Sequence, residues 1–194
     1  SRRNPYFSGI REVGCSSAST GHCIGTSLYP ICPASAKNSM HTSLAAGLLG
    51  LGERHGLAIE GSMKFFLEHK NVNDLPALLQ AMKEQKKYVP GFGHKILSVD
   101  SRALSLLDIA KNTGFYGENC KFAEQVQEAL KNTSSKPLPM NVDGAMAAVL
   151  CDMNIDVALA KGIFMIARVP GLVAHIVEEI KNDEGIRRVD PEDI

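Results

Sequence analysis

The sequence lacks an excess of charge of either sign, because 21 Lys and Arg residues balance 21 Asp and Glu residues in 194 positions. It also lacks the basic stripe interleaved with aromatic residues that is typical of nucleic-acid-binding domains. A balanced surface provides no long-range attraction to nucleic acid or to anionic lipid. We therefore expect neither a nucleic-acid partner nor a membrane partner.

Long apolar runs and an N-terminal leader are missing as well. The most apolar stretches lie near 44–51 and 144–151 and are far shorter than the roughly 20 residues of a membrane helix. The start of the chain contains Arg2, Arg3 and Arg11 but no apolar core of a signal peptide. These absences predict a cytoplasmic protein.

Cysteine pairs with the spacing of a metal site are absent. The chain has 5 cysteines, an odd number, and none of them forms a C-x-x-C motif. This pattern argues against a zinc site and against a disulfide framework, and it fits a reducing compartment. We expect no metal and no permanently bound cofactor.

Strand signals are few, and the period-two alternation near 24–32 is weak. Helical periodicity is the strongest signal that the chain does contain. Amphipathic or largely apolar helices are predicted over 73–87, 101–112, 119–131, 143–153, 155–167 and 171–181. Hydrophobic residues make up 44% of the chain, enough for a core. The sequence therefore predicts an all-α fold with short loops.

Two short stretches carry a histidine beside glycine. His55 stands in G-E-R-H-G-L-A at a helix break, where a neutral imidazole could donate a hydrogen bond to a carbonyl or enol oxygen; an ordinary loop histidine is the alternative. His94 ends V-P-G-F-G-H, whose glycines allow a ligand to approach the backbone closely. The alternative for this second stretch is a linker that separates two helices.

Two other stretches place a charge beside apolar residues. Asp143 in P-L-P-M-N-V-D-G-A-M is either an N-cap or a base whose basicity is raised by desolvation, and the cap is the commoner use. Arg168 in F-M-I-A-R-V-P-G interrupts an apolar run, and a buried arginine needs an anionic partner. That partner is either a structural carboxylate or a substrate carboxylate held by the guanidinium fork.

In this order and spacing, the four stretches resemble the citrate synthase superfamily over roughly residues 36 to 194. A-A-G-L-L-G-L-G at 45–52 and N-V-D-G-A-M-A-A-V-L at 141–150 are most similar to short citryl-CoA lyase-like proteins and to the C-terminal domain of ATP-citrate lyase. Each motif alone is weak, whereas the ordered set is specific.

The resemblance implies a citrate synthase-like helical fold with part of a large domain and a small domain, short at its N-terminus. Residues 1–36 would form an atypical N-terminal segment, and 37–194 the citrate synthase-like domain. A small CoA-binding lobe would occupy about 60–140. The resemblance also implies a homodimer with a shared active site.

The chemistry implied by the resemblance joins acetyl-CoA and oxaloacetate through citryl-CoA, or cleaves citryl-CoA into the two. Asp143 would exchange the proton of the acetyl methyl group, and His55 would hydrogen-bond the thioester oxygen of the enol. His94 would polarise the ketone and protonate the alkoxide. Whether the chain is a synthase or a lyase stays open, and so does a 2-methylcitrate variant.

The resemblance also assigns binding residues, with a CoA thioester as substrate. The CoA residues would be Val89, Pro90, Gly91, Phe92, Gly93 and Lys95. The dicarboxylate residues would be Arg102, Arg168 and His22, with Arg187 or Arg188 supplied by the neighbouring subunit.

The sequence departs from the family pattern at several places: G-H-C stands at 21–23 where many relatives have D-H-G, and the loop from His94 to Arg102 is one residue short. D-S-R-A stands at 100–103 where D-P-R-A is usual, and the chain begins later than its relatives. A second hypothesis is therefore a non-catalytic CoA- or dicarboxylate-binding remnant, or a subunit of a larger assembly.

Overall fold

The computed structural model of the protein describes residues 24–52, 58–93, 99–134 and 138–186. These residues form eight α-helices and one short 3₁₀ helix, Val157–Leu159. The helices are α1 (Ile24–Ser35), α2 (Met40–Leu49), α3 (Ile59–His69), α4 (Leu75–Glu84), α5 (Ser101–Thr113), α6 (Glu118–Thr133), α7 (Val142–Asp152) and α8 (Ala160–Asn182). The predicted all-α fold class is confirmed.

The chain divides into two compact units. One comprises Ser1–His55 and Ile163–Ile194, and the other comprises Gly56–Gly162. The small lobe predicted at about 60–140 falls within the second unit, which also contains α7. The predicted boundary at residue 36 stays a prediction.

In the second unit, α7 is the central helix and packs against α3, α5 and α6. Its sequence, V-D-G-A-M-A-A-V-L-C-D, is dominated by small residues, and Ala145, Ala147 and Ala148 have no exposed surface. Small side chains let several helices approach one axis closely. The prediction that this helix is buried on most sides is confirmed.

An aromatic cluster fills the core beside α7. The ring of Phe66, which is fully buried, lies edge-on to the rings of Phe92 and Phe122 at centroid distances of 6.2 Å. Phe65 stacks on Phe122 at 6.2 Å. The contact between Phe66 and Phe92 attaches the segment that carries Phe92 to α3, and Phe122 joins α6 to the same cluster.

The helix boundaries in this unit follow the signals in the sequence. Asp74 caps α4 by accepting a hydrogen bond from the Ala77 amide at 2.9 Å, and Pro76 lies in the first turn. Gly114 ends α5 in the left-handed conformation, with φ of 80°. The helices predicted at 73–87, 101–112, 119–131 and 143–153 are all confirmed.

In the first unit, α1 occupies the stretch near 24–32 where the sequence shows weak alternation, so this alternation does not correspond to a strand. Pro30 and Ala34, one helical turn apart, are buried where α1 packs against α2. Gly47 of α2 permits this packing, since a methyl group there would lie 3.1 Å from the Pro30 Cβ atom.

The last helix, α8, is continuous, whereas the sequence predicts two helices over 155–167 and 171–181. Pro170 lies inside α8, where it removes one backbone donor but keeps a helical φ. Phe164, Leu172 and Ile176 form a buried stripe that continues past the proline. Packing of this stripe outweighs the helix-breaking tendency of Pro170.

The stretch Val157–Asn182 has the length and mean hydropathy, 1.7, to cross a membrane, which differs from the expectation that no such run exists. Lys161 and Arg168 interrupt the run and hide it from a search for uncharged stretches. Core helices of soluble proteins meet the same two criteria. Only 22% of this window is buried, so packing within the described residues does not account for its hydropathy.

Candidate active site

The first turn of α7 is held by two side chains that precede or lie outside the helix. The Asn141 Oδ1 atom accepts hydrogen bonds from the amides of Asp143 at 3.0 Å and Gly144 at 3.1 Å. The Asp100 Oδ2 atom accepts the amide of Val142 at 3.0 Å. These are amides that a helix start leaves without an intrahelical acceptor. They are engaged and do not serve as donors to an anion.

Asp143 is in this turn, but it is not the N-cap. The interpretation of Asp143 as a cap is wrong because Asn141 takes that position, with extended backbone and an accepting side chain. The Asp143 side chain is half-buried, and its Oδ1 atom is shielded from solvent. The helix dipole favours a carboxylate at this end, and the ionised form is the one that can accept a proton. Its role as the base stays a prediction.

Asp100 is a buried carboxylate that forms a salt bridge with Arg102. Its side chain has no exposed surface, and it accepts the Arg102 Nε–H at 2.9 Å, the Nη2–H at 2.8 Å and the Arg102 amide at 3.1 Å. Burial alone raises the pKa of Asp100, but the hydrogen bonds and charge of Arg102 outweigh it and hold the pKa below its ordinary value. The pair is therefore ionised at neutral pH.

The position of Arg102 limits how it could bind a substrate. Its side-on edge, Nε with Nη2, is occupied by Asp100, and its side chain is 21% exposed. A substrate carboxylate would have to approach the end-on edge that contains Nη1. The assignment of Arg102 to a dicarboxylate stays a prediction, with this edge as its geometric condition.

The V-P-G-F-G segment pairs with the segment before α7. The Gly93 amide donates to the Pro139 carbonyl at 2.7 Å, and the Asn141 amide donates to the Gly91 carbonyl at 3.0 Å. The Asn141 side chain also donates to the Gly93 carbonyl at 3.1 Å. Asn141 therefore fixes both the first turn of α7 and the residue that precedes His94.

The glycine at 91 is required by packing within the protein. Its φ is +86°, and a methyl group there would lie 2.6 Å from the Gly144 Cα atom and 2.8 Å from the Ser62 Oγ atom. A methyl group on Gly144 would lie 2.3 Å from the Gly91 carbonyl oxygen. Close backbone contact between the loop and α7 thus explains Gly91 without a ligand. The predicted binding of CoA by 89–93 stays untested.

Arg168 in the first unit is half-buried rather than buried. Its guanidinium carbon lies 4.9 Å from the centroid of the Phe164 ring, one turn earlier in α8. Such a cation–π contact orients the planar group and offsets part of its desolvation. Its assignment to a substrate carboxylate stays a prediction.

The opposite end of α7 carries a second well-bonded carboxylate, Asp152. It accepts hydrogen bonds from the amides of Gly117 at 2.8 Å, Asn119 at 2.9 Å and Cys120 at 3.0 Å, which are the first amides of α6. Burial raises the pKa of Asp152, but the Cys120 thiol, Asn119 and these amides outweigh it and lower the pKa overall. Asp152 is a cap that α7 supplies to α6.

The buried thiols and the acidic side chains of the described residues provide no alternative chemistry. Burial raises the pKa of the Cys151 thiol to about 11, and burial together with Asp152 raises that of Cys120 further. Both thiols are protonated at neutral pH and are poor nucleophiles. Within the four described stretches, no cluster of three or more His, Cys, Asp or Glu side chains could hold a metal ion.

Several predicted site residues lie outside the described residues: His22, His55, His94, Lys95, Arg187 and Arg188. Along the chain, His55 lies between α2, which ends at Leu49, and α3, which begins at Ile59. The carbonyl of Gly93, just before His94, is fixed by Asn141.

Sequence reasoning missed Asp100 and Asn141. Each directly precedes a helix and has a side chain that accepts backbone amides, so preference for Asp and Asn at N-caps could have identified both. Their second contacts, to Val142 and to Gly93, span 42 and 48 positions in the chain. No local pattern encodes contacts at that separation.

The sequence profile for the citrate synthase C-terminal domain matches residues 20–189. Among curated proteins, the chain is 30% identical to the probable ATP-citrate synthase of Dictyostelium discoideum over 197 aligned residues. The match covers 91% of this chain but 31% of that protein, so the chain spans about a third of this relative.

Among solved structures, the chain superposes on citryl-CoA lyase from Hydrogenobacter thermophilus with a TM-score of 0.79 and 38% identity, covering 99% of this chain and 77% of that one. It also superposes on ATP citrate lyase from Methanothrix soehngenii in complex with citrate and coenzyme A. That match has a TM-score of 0.77 and 27% identity and covers 100% of this chain and 34% of the other.

Proposed function

The chain belongs to the citrate synthase family, and on this basis we propose that it acts on the carbon–carbon bond of citryl-CoA, which joins an acetyl-CoA unit to an oxaloacetate unit. Cleavage is the favoured direction because the chain is 38% identical to a citryl-CoA lyase over nearly its whole length. The complex of ATP citrate lyase with citrate and coenzyme A supports the same pair of substrate groups.

The observation that carries this proposal is the hydrogen-bonded link between Arg102 and the turn of Asp143. Asp100 binds the Arg102 guanidinium and also the Val142 amide, which directly precedes Asp143. In this proposal, Asp100 connects the arginine that binds a substrate carboxylate to the turn that carries the proton-transfer residue, Asp143. Cleavage of citryl-CoA needs both groups at a fixed spacing, because only a well-oriented substrate reacts.

In the cleavage direction, His94 takes the proton of the citryl hydroxyl group as its carbon becomes the ketone of oxaloacetate. The electron pair of the broken carbon–carbon bond passes to the acetyl unit and forms an enolate. His55 donates a hydrogen bond to the enolate oxygen, and Asp143 returns a proton to the carbon. Asp143 thus starts this direction protonated and ends as a carboxylate. The synthetic direction reverses each step.

For the CoA part of the substrate we propose the half-buried segment from Val89 to Gly93. Its backbone is fixed by Pro139 and Asn141, so a nucleotide would meet preformed groups. Lys95 would supply a charge for a phosphate. The dicarboxylate would bind Arg102 through its end-on edge, together with Arg168, His22 and one of Arg187 and Arg188.

We further propose a homodimer. The large apolar side chain of Ile166 is 72% exposed and that of Ile180 is 46% exposed, in a helix whose hydropathy is high. Burial against a second copy would remove this surface from water. Sedimentation should give the mass of two 20.9 kDa chains, and a fully active monomer would contradict a shared site.

We propose a cytoplasmic location because the described cysteines are not paired in disulfides. Cys32, Cys120 and Cys151 are free thiols, and two of the three are buried, as expected for a reducing compartment.

The test is an assay of the pure protein with citryl-CoA that follows acetyl-CoA and free CoA separately. Equal amounts of acetyl-CoA and oxaloacetate are expected. Citrate with free CoA would instead reveal a synthase that hydrolyses the thioester. Absence of both product pairs would refute the catalytic proposal, and retained CoA binding in that case would favour the non-catalytic alternative.

A further inference from the structure

Asp100 combines complete burial with contacts to two different elements. It accepts three hydrogen bonds from Arg102 and one from the Val142 amide at the start of α7. We infer that Asp100 is a positioning residue that orients Arg102 for the substrate carboxylate and ties this arginine to the turn of Asp143. This inference rests on the proposed function, because it assigns a role in the same site.

The orientation follows from the geometry of the guanidinium. Asp100 fixes Nε and Nη2 at 2.9 and 2.8 Å, so the plane of the guanidinium group is set. Arginine side chains otherwise lose considerable rotamer freedom when they bind an anion. A guanidinium oriented in advance binds a carboxylate at lower entropic cost.

The link to Asp143 follows from the hydrogen bond between the Val142 amide and Asp100. Asp100 Oδ2 accepts both the Arg102 Nη2–H and the Val142 amide. The position of Arg102 is therefore coupled through Asp100 to the Val142 amide in the first turn of α7. Asp143 directly follows Val142. Arg102, Asp100 and this turn form one continuous hydrogen-bonded chain.

A purely structural carboxylate has a different set of partners in the same unit. Asp152 accepts three backbone amides and the Asn119 side-chain amide at 2.8 Å, with no arginine among these partners. Asp100 has a comparable number of bonds, yet two of them go to a charged side chain. The two residues therefore make a similar number of hydrogen bonds, but Asp152 is half-buried and Asp100 fully buried, and their partners differ.

The experiment compares Asp100→Asn with Asp152→Asn in the full chain. Binding of oxaloacetate and of CoA is measured by calorimetry, and thermal unfolding is followed for each variant. Asp100→Asn should weaken oxaloacetate by about 10- to 100-fold, the loss expected for a charge-assisted hydrogen bond that orients a ligand group. Its affinity for CoA should stay within about twofold of wild type.

Both variants are expected to lower the melting temperature, because each loses a charged hydrogen-bond acceptor. Asp152→Asn should leave the affinities for oxaloacetate and CoA unchanged. Equal losses for both ligands in Asp100→Asn, or no loss for either, would overturn the positioning role while leaving the proposed function intact. A wild-type chain that binds neither ligand would overturn the proposed function, and the inference with it.

A double-mutant cycle tests whether Asp100 acts through Arg102. In an Arg102→Gln background, Asp100→Asn should cause no further loss of oxaloacetate affinity, since the group that it orients is already gone. Additive losses would mean that Asp100 affects the site by another route and would refute the inference. The double variant also avoids leaving a buried carboxylate without its cation.

A measurement on the wild-type chain covers the case in which Asp100→Asn does not fold. The Nε–H signal of Arg102 in a ¹⁵N NMR spectrum, assigned through Arg102→Lys, should exchange slowly with water and should shift on addition of oxaloacetate. Exchange as fast as that of a solvent-exposed arginine would contradict a guanidinium held by Asp100.

Discussion

The two ends of α7 share an aspartate and a glycine in similar arrangements but differ in the partners of the aspartate. At each end, a buried or half-buried aspartate accepts backbone amides at the start of a helix: Asp100 at Val142 and Asp152 at the start of α6. At each end, a glycine admits the close approach, since a methyl group on Gly144 or Gly117 would lie 2.3 Å or 2.7 Å from its neighbour. Among the described residues, an arginine is bound at the first end and none at the second.

This difference shows that a buried carboxylate with many hydrogen bonds is not in itself a functional signal. Asp152 has every partner that a structural cap needs. Asp100 additionally binds the Arg102 guanidinium. The cationic partner of the carboxylate, and not the direction of its pKa shift, separates the two ends.

The largest expected change in stability is that of Gly144→Ala at the first end. The new methyl group would meet the Gly91 carbonyl at 2.3 Å, so either the loop or α7 must move. We expect a loss of about 3 kcal/mol in the free energy of unfolding, measured by chemical denaturation. Gly162→Ala is the control, because nothing lies within 4 Å of its position in α8. It should be neutral or stabilising by up to about 1 kcal/mol, and equal losses in both would show that the contact with Gly91 is not tight.

A smaller loss is expected when the cap at the second end is removed. Asp152→Ala leaves the amides of Gly117, Asn119 and Cys120 without their acceptor. The free energy of unfolding should fall by about 2 kcal/mol, and turnover of the folded protein should be unchanged. A selective loss of turnover would contradict the separation between the two ends.

Removal of the cap at the first end should cost less stability and affect the site more. Asn141→Ala should lower the free energy of unfolding by about 1 kcal/mol, because Asp100 still holds Val142. The variant removes the hydrogen bond from the Asn141 side chain to the Gly93 carbonyl. The segment is then held less firmly, so the hydrogen bond from the Gly93 amide to Pro139 should open more often and this amide should exchange with deuterium faster than in wild type. Unchanged exchange at Gly93 would show that Asn141 does not hold this segment.

Much of the fold follows from local sequence signals. The helices from α4 to α7 begin and end near the positions that capping residues and periodicity predict, with Asp74 and Gly114 as clear markers. The failures concern α1 and α8, where Pro30 and Pro170 lie inside helices. Proline lowers helix propensity locally, but burial of a stripe against distant parts of the chain outweighs it.

The site could be predicted only in part, for a physical reason. Asp143 and Arg102 belong to recognisable short motifs, whereas Asp100 and Asn141 acquire their roles through bonds to residues 42 and 48 positions away. The V-P-G-F-G-H motif also suggested that its glycines allow a ligand to approach the backbone closely. In the structure, Gly91 is required by its contact with Gly144.

The smallest effect expected is a shallow loss of stability in acid. The folded state lowers the pKa of both Asp100 and Asp152 below their unfolded value near 3.8. Their contribution is therefore complete above that value and is lost as the pH falls through the folded pKa. Stability measured from pH 5 down to about pH 2 should decline, and less steeply in Asp152→Asn. An identical slope in that variant would mean that Asp152 does not contribute.

The most direct test of the account is Asp143→Asn, assayed with citryl-CoA and with CoA binding measured on the same sample. Turnover should fall by about a hundredfold to ten-thousandfold, the usual contribution of an acid–base group, while CoA affinity and the melting temperature stay close to wild type. Unchanged turnover would contradict the assignment of the proton-transfer group, the acid in this direction and the base in the reverse one, to Asp143 in the first turn of α7.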